Sequence, residues 1–124
     1  MSTLLLVAVV LAALLATAHS YLGERYILIR LFRREDLPSL LGSTMFTKRT
    51  LRLGWHLTSV AWIGFAGLLA ALASSPAGAG RTEAHVIAGT FAASGALALV
   101  GSRGRHLSWI VFFVIAALVW FAYR

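Results

Sequence analysis

The sequence predicts an all-α membrane protein, a bundle of four transmembrane helices with a cytoplasmic, interfacial amphipathic helix between the first and second spans. Two observations support this fold class. The chain of 124 residues is 60% hydrophobic and only 12% charged, whereas soluble domains are roughly 25% charged. Its apolar residues also fall into four runs, each near the roughly 20 residues needed to cross a hydrocarbon core of about 30 Å. We expect a single integral membrane domain over residues 1–124.

Each apolar run is expected to be helical, because a spanning helix satisfies its own backbone hydrogen bonds inside lipid. The runs cover, approximately, residues 3–22, 53–73, 84–100 and 107–123. The third run is short and rich in Ala and Gly, which predicts that protein rather than lipid surrounds it. We expect the first run to be retained rather than cleaved as a signal peptide, because the preceding "MST" lacks the basic residue of a secretory signal.

The connection between the first two runs carries a predicted interfacial segment, at about residues 24–41, with an amphipathic helix over "RYILIRLFRR". Arg30, Arg33 and Arg34 fall on one helical face, and apolar side chains such as Leu31 lie opposite. A basic face opposite an apolar face is typical of a helix that lies in the membrane interface.

The positions of the basic residues predict the orientation. Nine of the eleven Lys and Arg residues lie in the first and last connections, which share one side of a four-span bundle. The positive-inside rule places these connections in the cytoplasm and both termini on the non-cytoplasmic side. We take the membrane to be a bacterial inner membrane. The net charge of +7 then predicts contact with anionic lipid headgroups rather than nucleic acid, and it leaves open a homo-oligomer or a partner in a membrane complex.

Several kinds of chemistry are disfavoured by the sequence. It contains no cysteine, so disulfides, thiolate metal sites and thiol catalysis are excluded. It has no glycine-rich phosphate loop, and no acidic residue lies in the middle of a span, where a proton-coupled transporter of the usual kind carries one. These features favour a function other than enzymatic catalysis.

The four histidines are the candidate functional residues, because each lies near the end of a different span. His19, His56 and His106 share the predicted cytoplasmic side, whereas His85 lies at the opposite boundary. Small-residue stripes predict that His19 and His56 point into the bundle, since membrane helices approach closely along such stripes. The stripe behind His19 contains Ala8, Ala12 and Ala16. The stripe ahead of His56 contains Ser59, Val60, Ile63, Gly64 and Gly67.

Three inward histidines at one depth predict a transition-metal site made of His19, His56 and His106, because imidazole is a good ligand for Zn, Cu and Fe. Glu24 is the fourth candidate ligand. In an unbroken helix it lies about 140° around from His19, so we expect it to reach the site only if the helix breaks at Gly23. The ion would be transported, sensed or used chemically.

Other interpretations stay open at this point. Histidines at a membrane boundary commonly bond only to water or to a backbone carbonyl, with no ligand. A second function is that of a non-catalytic accessory or assembly subunit of a membrane complex, which would use the small-residue stripes and the basic connection for contacts. A third is a b-type haem protein with two histidines as axial ligands.

Overall fold

The structure is a computed structural model that describes residues 2–76, 79–101, 103–105 and 107–124. The described residues are helical with short connections between the helices. In chain order the helices are α1 (Thr3–Leu22), a π-helical segment (Gly23–Leu28), α2 (Ile29–Leu31), α3 (Thr44–Ala73), α4 (Arg81–Gly101) and α5 (Ser108–Ala122). The structure therefore confirms the prediction of an all-helical protein with several long apolar helices.

Three of the helices are long and apolar enough to cross a membrane: Thr3–Leu31, Thr44–Ala73 and Arg81–Val100. The helix Ser108–Ala122 is apolar but shorter. These four helices coincide with the four predicted runs. α3 begins nine residues before its predicted start, because Ser43 caps it: the Ser43 hydroxyl accepts hydrogen bonds from the backbone N–H groups of Met45 and Phe46.

The first connection does not contain the separate helix that was predicted within residues 24–41. Residues 24–31 are helical, but they continue α1 through the π-helical segment and α2, so that one helix runs over Thr3–Leu31. Residues 32–43 then form turns and extended chain. They fold back on α3, where the buried Thr47 hydroxyl donates to the Pro38 carbonyl at 2.7 Å.

The helices pack in the order α3, α1, α5, α4, since α1 contacts both α3 and α5 while α4 packs mainly along α5. The alanine stripe of α1 is buried as predicted: Ala8, Ala12 and Ala16 are at most 1% exposed. The prediction for α3 was wrong in part, because Val60 and Ile63 are exposed. α3 faces the bundle with a different stripe, made of Ser59, Trp62, Ala66, Leu69 and Ala73.

Within this chain the Ala-rich third span packs mainly along α5, and that protein surrounds it stays a prediction. Its small residues allow close packing: Ala84 and Ala88 are buried in the core, and the Phe113 ring of α5 lies against Gly95. The other face of α4 is open, and Leu97 and Val100 are about three-quarters exposed, at 75% and 76%. A helix needs small residues wherever one neighbour approaches closely, whether or not it has neighbours on every side.

Gly23 is required by the packing of α1 against α3. Its backbone is right-handed, with φ −62°, so no special conformation demands glycine here. A Cβ atom at this position would instead overlap the indole of Trp55, which lies directly against the α1 backbone.

We expect Gly23→Ala to lower the free energy of unfolding by about 1–3 kcal/mol, the usual cost of overpacking a tight contact. Gly64→Ala is the matched control, because Gly64 is also helical and a Cβ there meets nothing within 4 Å. Unfolding in mixed micelles of increasing denaturing detergent measures both variants. Equal stability of the two variants would show that Trp55 does not approach Gly23.

Candidate functional site

Polar side chains of α1 and α3 meet in a hydrogen-bonded chain inside the bundle. The Nδ1 atom of His19 lies 2.9 Å from the hydroxyl oxygen of Ser59. The hydroxyls of Ser59 and Ser20 are 2.8 Å apart, and the Ser20 oxygen lies 2.9 Å from Nδ1 of His56. Ser59 is buried, at 6% exposure. Two serines therefore connect two histidines from neighbouring helices.

The chain continues from His56 to the outside of the bundle. The Nε2 atom of His56 lies 3.1 Å from Oε2 of Glu24. Glu24 also pairs with Arg52, whose Nε and Nη2 atoms donate to the two carboxylate oxygens at 3.2 and 2.9 Å. Side-chain exposure rises to 30% at Glu24 and 47% at Arg52, so the chain runs from a buried serine to a solvent-accessible ion pair. We call the linked residues the polar chain: His19, Ser59, Ser20, His56, Glu24 and Arg52.

Glu24 joins the polar chain through the face of Ser20, not that of His19. Residues four apart on a helix are neighbours on one face, and Ser20 and Glu24 have this spacing. The helix does not break at Gly23, as the prediction for Glu24 required. It continues as a π-helical segment, in which the Ile29 N–H donates to the Glu24 carbonyl five residues back. Such segments are rare and frequently occur at functional sites.

Aromatic rings hold His19 in place. Its imidazole stacks on the Trp55 indole, with centroids 4.6 Å apart and planes within 2° of parallel. The ring of Trp62 meets it edge-on at 4.8 Å. The indole N–H of Trp55 donates to the His19 backbone carbonyl at 3.0 Å. These contacts fix the ring orientation, and so they fix the direction of the bond from Nδ1 to Ser59.

His19 also lines a cavity of about 640 Å³ at the same end of the bundle. All four long helices contribute to its wall, which is mainly apolar and includes Trp55, Trp62 and Phe112. Its rim has large exposed side chains on both sides, including Tyr26 at 52% and Leu97 at 75%. The cavity is therefore open on a side of the bundle that is covered with apolar groups. The first residue of the polar chain, His19, lies in the cavity wall, whereas the last two, Glu24 and Arg52, do not line the cavity.

Three of the four predicted site residues meet in the polar chain. His19, His56 and Glu24 belong to one connected cluster, but His19 and His56 are joined through serine hydroxyls and do not touch. His106 lies outside the described residues. Among the residues that the structure describes, no group of three or more His, Asp or Glu side chains is arranged to hold a metal ion. Metal and haem binding remain predictions.

His85 lies apart from this cluster, as predicted. It is on the first turns of α4, near the opposite end of the bundle, and stacks on Trp120 of α5 with ring centroids 4.6 Å apart. This stacking explains its position without a ligand.

Four residues of this cluster are not among the predicted site residues: Ser20, Ser59, Trp55 and Trp62. Of these, only Ser59 was named from the sequence, as a member of the small-residue stripe on α3. One signal was available, since Ser59 lies three residues after His56 and Ser20 lies four before Glu24, and both spacings put two polar side chains on one helical face. Two such pairs on helices that pack together point to a shared polar cluster.

Comparison with known proteins gave no match, whether to a family model, to a curated protein or to a solved structure.

Proposed function

We propose that this protein is a four-span protein of a bacterial inner membrane whose polar chain transfers protons between the cavity and the cytoplasmic surface. The observation that carries the proposal is the unbroken series of hydrogen bonds from His19, in the cavity wall, to Glu24, at the exposed end. Every intermediate member is a serine hydroxyl or an imidazole, and each of these groups can both donate and accept a hydrogen bond.

Helix lengths support this placement in the membrane. At 1.5 Å per residue, the helix Thr3–Leu31 is about 43 Å long, so it extends beyond a hydrocarbon core of about 30 Å. Counted from Thr3, His19 lies about 24 Å along it and Glu24 about 32 Å. His19 is thus within the core and Glu24 at its boundary. The basic residues that follow Glu24 would lie among anionic headgroups, on the cytoplasmic side by the positive-inside rule.

The polar chain has two arrangements that differ by one proton. In the first, every bond is turned outward, opposite to the direction from Ser20 to Ser59 in the structure: Nδ1–H of His19 donates to Ser59, and Ser59 donates to Ser20. Ser20 then donates to Nδ1 of His56, whose Nε2–H donates to Glu24. A proton taken up by His19 at Nε2 pushes its Nδ1 proton onto Ser59, and each hydroxyl passes its own proton on. His56 becomes doubly protonated, and the bonds between the histidines now point inward.

The last step releases the proton. His56 gives its Nε2 proton to the Glu24 carboxylate, and water at the exposed carboxylate removes it. Arg52 holds both carboxylate oxygens, so it favours the ionised acid and returns Glu24 to the state that accepts a proton from His56. The transfer itself moves only hydrogen. Before the next transfer, both imidazoles exchange tautomers and both hydroxyls turn back to point outward.

We expect the tautomers of the two histidines to be coupled, which solid-state NMR of ¹⁵N-histidine-labelled protein in lipid, recorded over a series of pH values, measures. A change of tautomer at His19 also changes the Nδ1 signal of His56, because the intervening hydroxyls reverse together. In Ser59→Ala the chain is cut, and the two signals become independent. Ser94→Ala is the matched control, since Ser94 lines the cavity but bonds to the Thr90 carbonyl of its own helix. Identical His56 titrations in all three proteins would contradict proton transfer through Ser59.

The metal site is a second candidate function, favoured by one distance. Nε2 of His56 and Oε2 of Glu24 are 3.1 Å apart, close to the separation of two ligand atoms that each lie about 2.1 Å from one zinc ion. An ion there would displace Arg52 from the carboxylate and take further ligands from elsewhere.

If this pair binds zinc, its affinity in a calorimetric titration falls at least ~10-fold in Glu24→Gln. Glu83→Gln is the control, because Glu83 is an exposed glutamate in the first turn of α4, near the other end of the bundle. A wild-type protein that takes up no zinc, or two variants that bind equally, would remove the metal candidate and leave the proton-transfer proposal untouched.

A further inference from the structure

We infer that the cavity beside His19 binds a neutral, ring-bearing, lipid-soluble molecule of the quinone class. The inference extends the proposed function by naming the molecule that meets His19. Its first support is the form of the site. A volume of about 640 Å³ is typical of a small-molecule site, as is a mainly apolar lining with a few polar groups.

The charge of the lining restricts the headgroup. No Lys, Arg, Asp or Glu is among the described residues that line the cavity, although the chain has eleven basic residues. A phosphate or a carboxylate would enter without a countercharge, at a large desolvation cost. A neutral headgroup enters without that cost.

The aromatic lining favours a flat ring. Trp55, Trp62 and Phe112 all contribute to the wall, and Tyr26 lies at the rim. Such side chains bind planar groups by offset stacking or edge-on contacts. The headgroup therefore carries a ring, with an apolar tail that leaves over the rim.

We assign His19 to the ring oxygens because it lies both in the cavity wall and in the polar chain. The wall also carries the hydroxyls of Thr58, Ser94 and Ser108, of which those of Thr58 and Ser94 donate to backbone carbonyls of their own helices. The His19 imidazole can donate to a quinone carbonyl or accept from a quinol hydroxyl. It is held against Trp55 and belongs to the polar chain, so a ring oxygen at this position is in contact with the path of the proton.

The rim supplies the route of entry. Leu22, Tyr26 and Ile27 lie on one side and Leu97 and Leu107 on the other, and all of them are 45% exposed or more. A rim of exposed apolar side chains on a membrane protein faces lipid, so a molecule dissolved in the bilayer reaches the cavity without crossing water.

Binding is tested with decylubiquinone added to the purified protein in detergent micelles, with tryptophan fluorescence as the readout. Trp55 and Trp62 line the cavity, and quinones quench nearby indoles, so we expect saturable quenching. Ala18→Phe fills the cavity from α1 and should weaken binding at least ~10-fold. Ala61→Phe is the matched control, because Ala61 is also exposed on a long helix but does not line the cavity.

Two competitors identify the class of ligand. Decanol carries the same tail without a ring, and decanoic acid carries it with a carboxylate. Neither should displace the quinone at equal concentration. Displacement by either one, quenching that does not saturate, or equal affinity in Ala18→Phe and Ala61→Phe would overturn the inference. All of these measurements are made without proton transfer, and the histidine titrations use no quinone. The ligand assignment can therefore fail while the proton-transfer proposal stands, and the reverse is also true.

Discussion

The site depends on the close approach of α3 to α1 at Gly23. The missing side chain lets the Trp55 indole lie on the α1 backbone, where it covers His19 and donates to the His19 carbonyl. This contact fixes the relative height and rotation of the two helices. Ser59, one turn further along α3 from Trp55, is then within hydrogen-bond distance of both His19 and Ser20. One backbone contact thus positions a cluster that no single helix could assemble.

The polar chain is compatible with a membrane interior because its buried groups are satisfied. Among the described residues, no buried side-chain nitrogen or oxygen lacks a hydrogen-bond partner. An unsatisfied polar group in hydrocarbon costs several kcal/mol, so serines and histidines at this depth are accommodated only as a connected set. Because the hydrogen bonds are linked, reversing one hydroxyl requires its neighbour to reverse. A change of protonation at one end of the polar chain therefore alters the hydrogen bonds at the other end.

The sequence predicted the helices well, because their signal is local. Four apolar runs and a basic connection are visible without any tertiary contact, and so is the alanine stripe ending at His19. The site was predicted only in part. His19 and His56 lie in one cluster, but they are joined through Ser59 and Ser20, and the predicted stripe grouped Ser59 with Val60 and Ile63, which are exposed. Which side of α3 faces the bundle depends on contacts between helices, such as those of Trp62 with His19 of α1 and Phe112 of α5. Such contacts are not contained in the sequence of any one helix alone.

Glu24 illustrates the same limit. The expectation that it reaches the cluster only through a broken helix was wrong, because the polar chain passes from one face of α1 to the next through Ser20. The central claim is therefore that His19 and Glu24 are coupled although they do not touch. The most direct measurement is the ¹⁵N spectrum of the His19 imidazole, recorded at one pH in wild type and in Glu24→Gln. A continuous chain predicts that the remote substitution shifts the balance between the two His19 tautomers, and that this effect disappears when Ser59→Ala is also present. An unchanged His19 spectrum in Glu24→Gln would contradict the account.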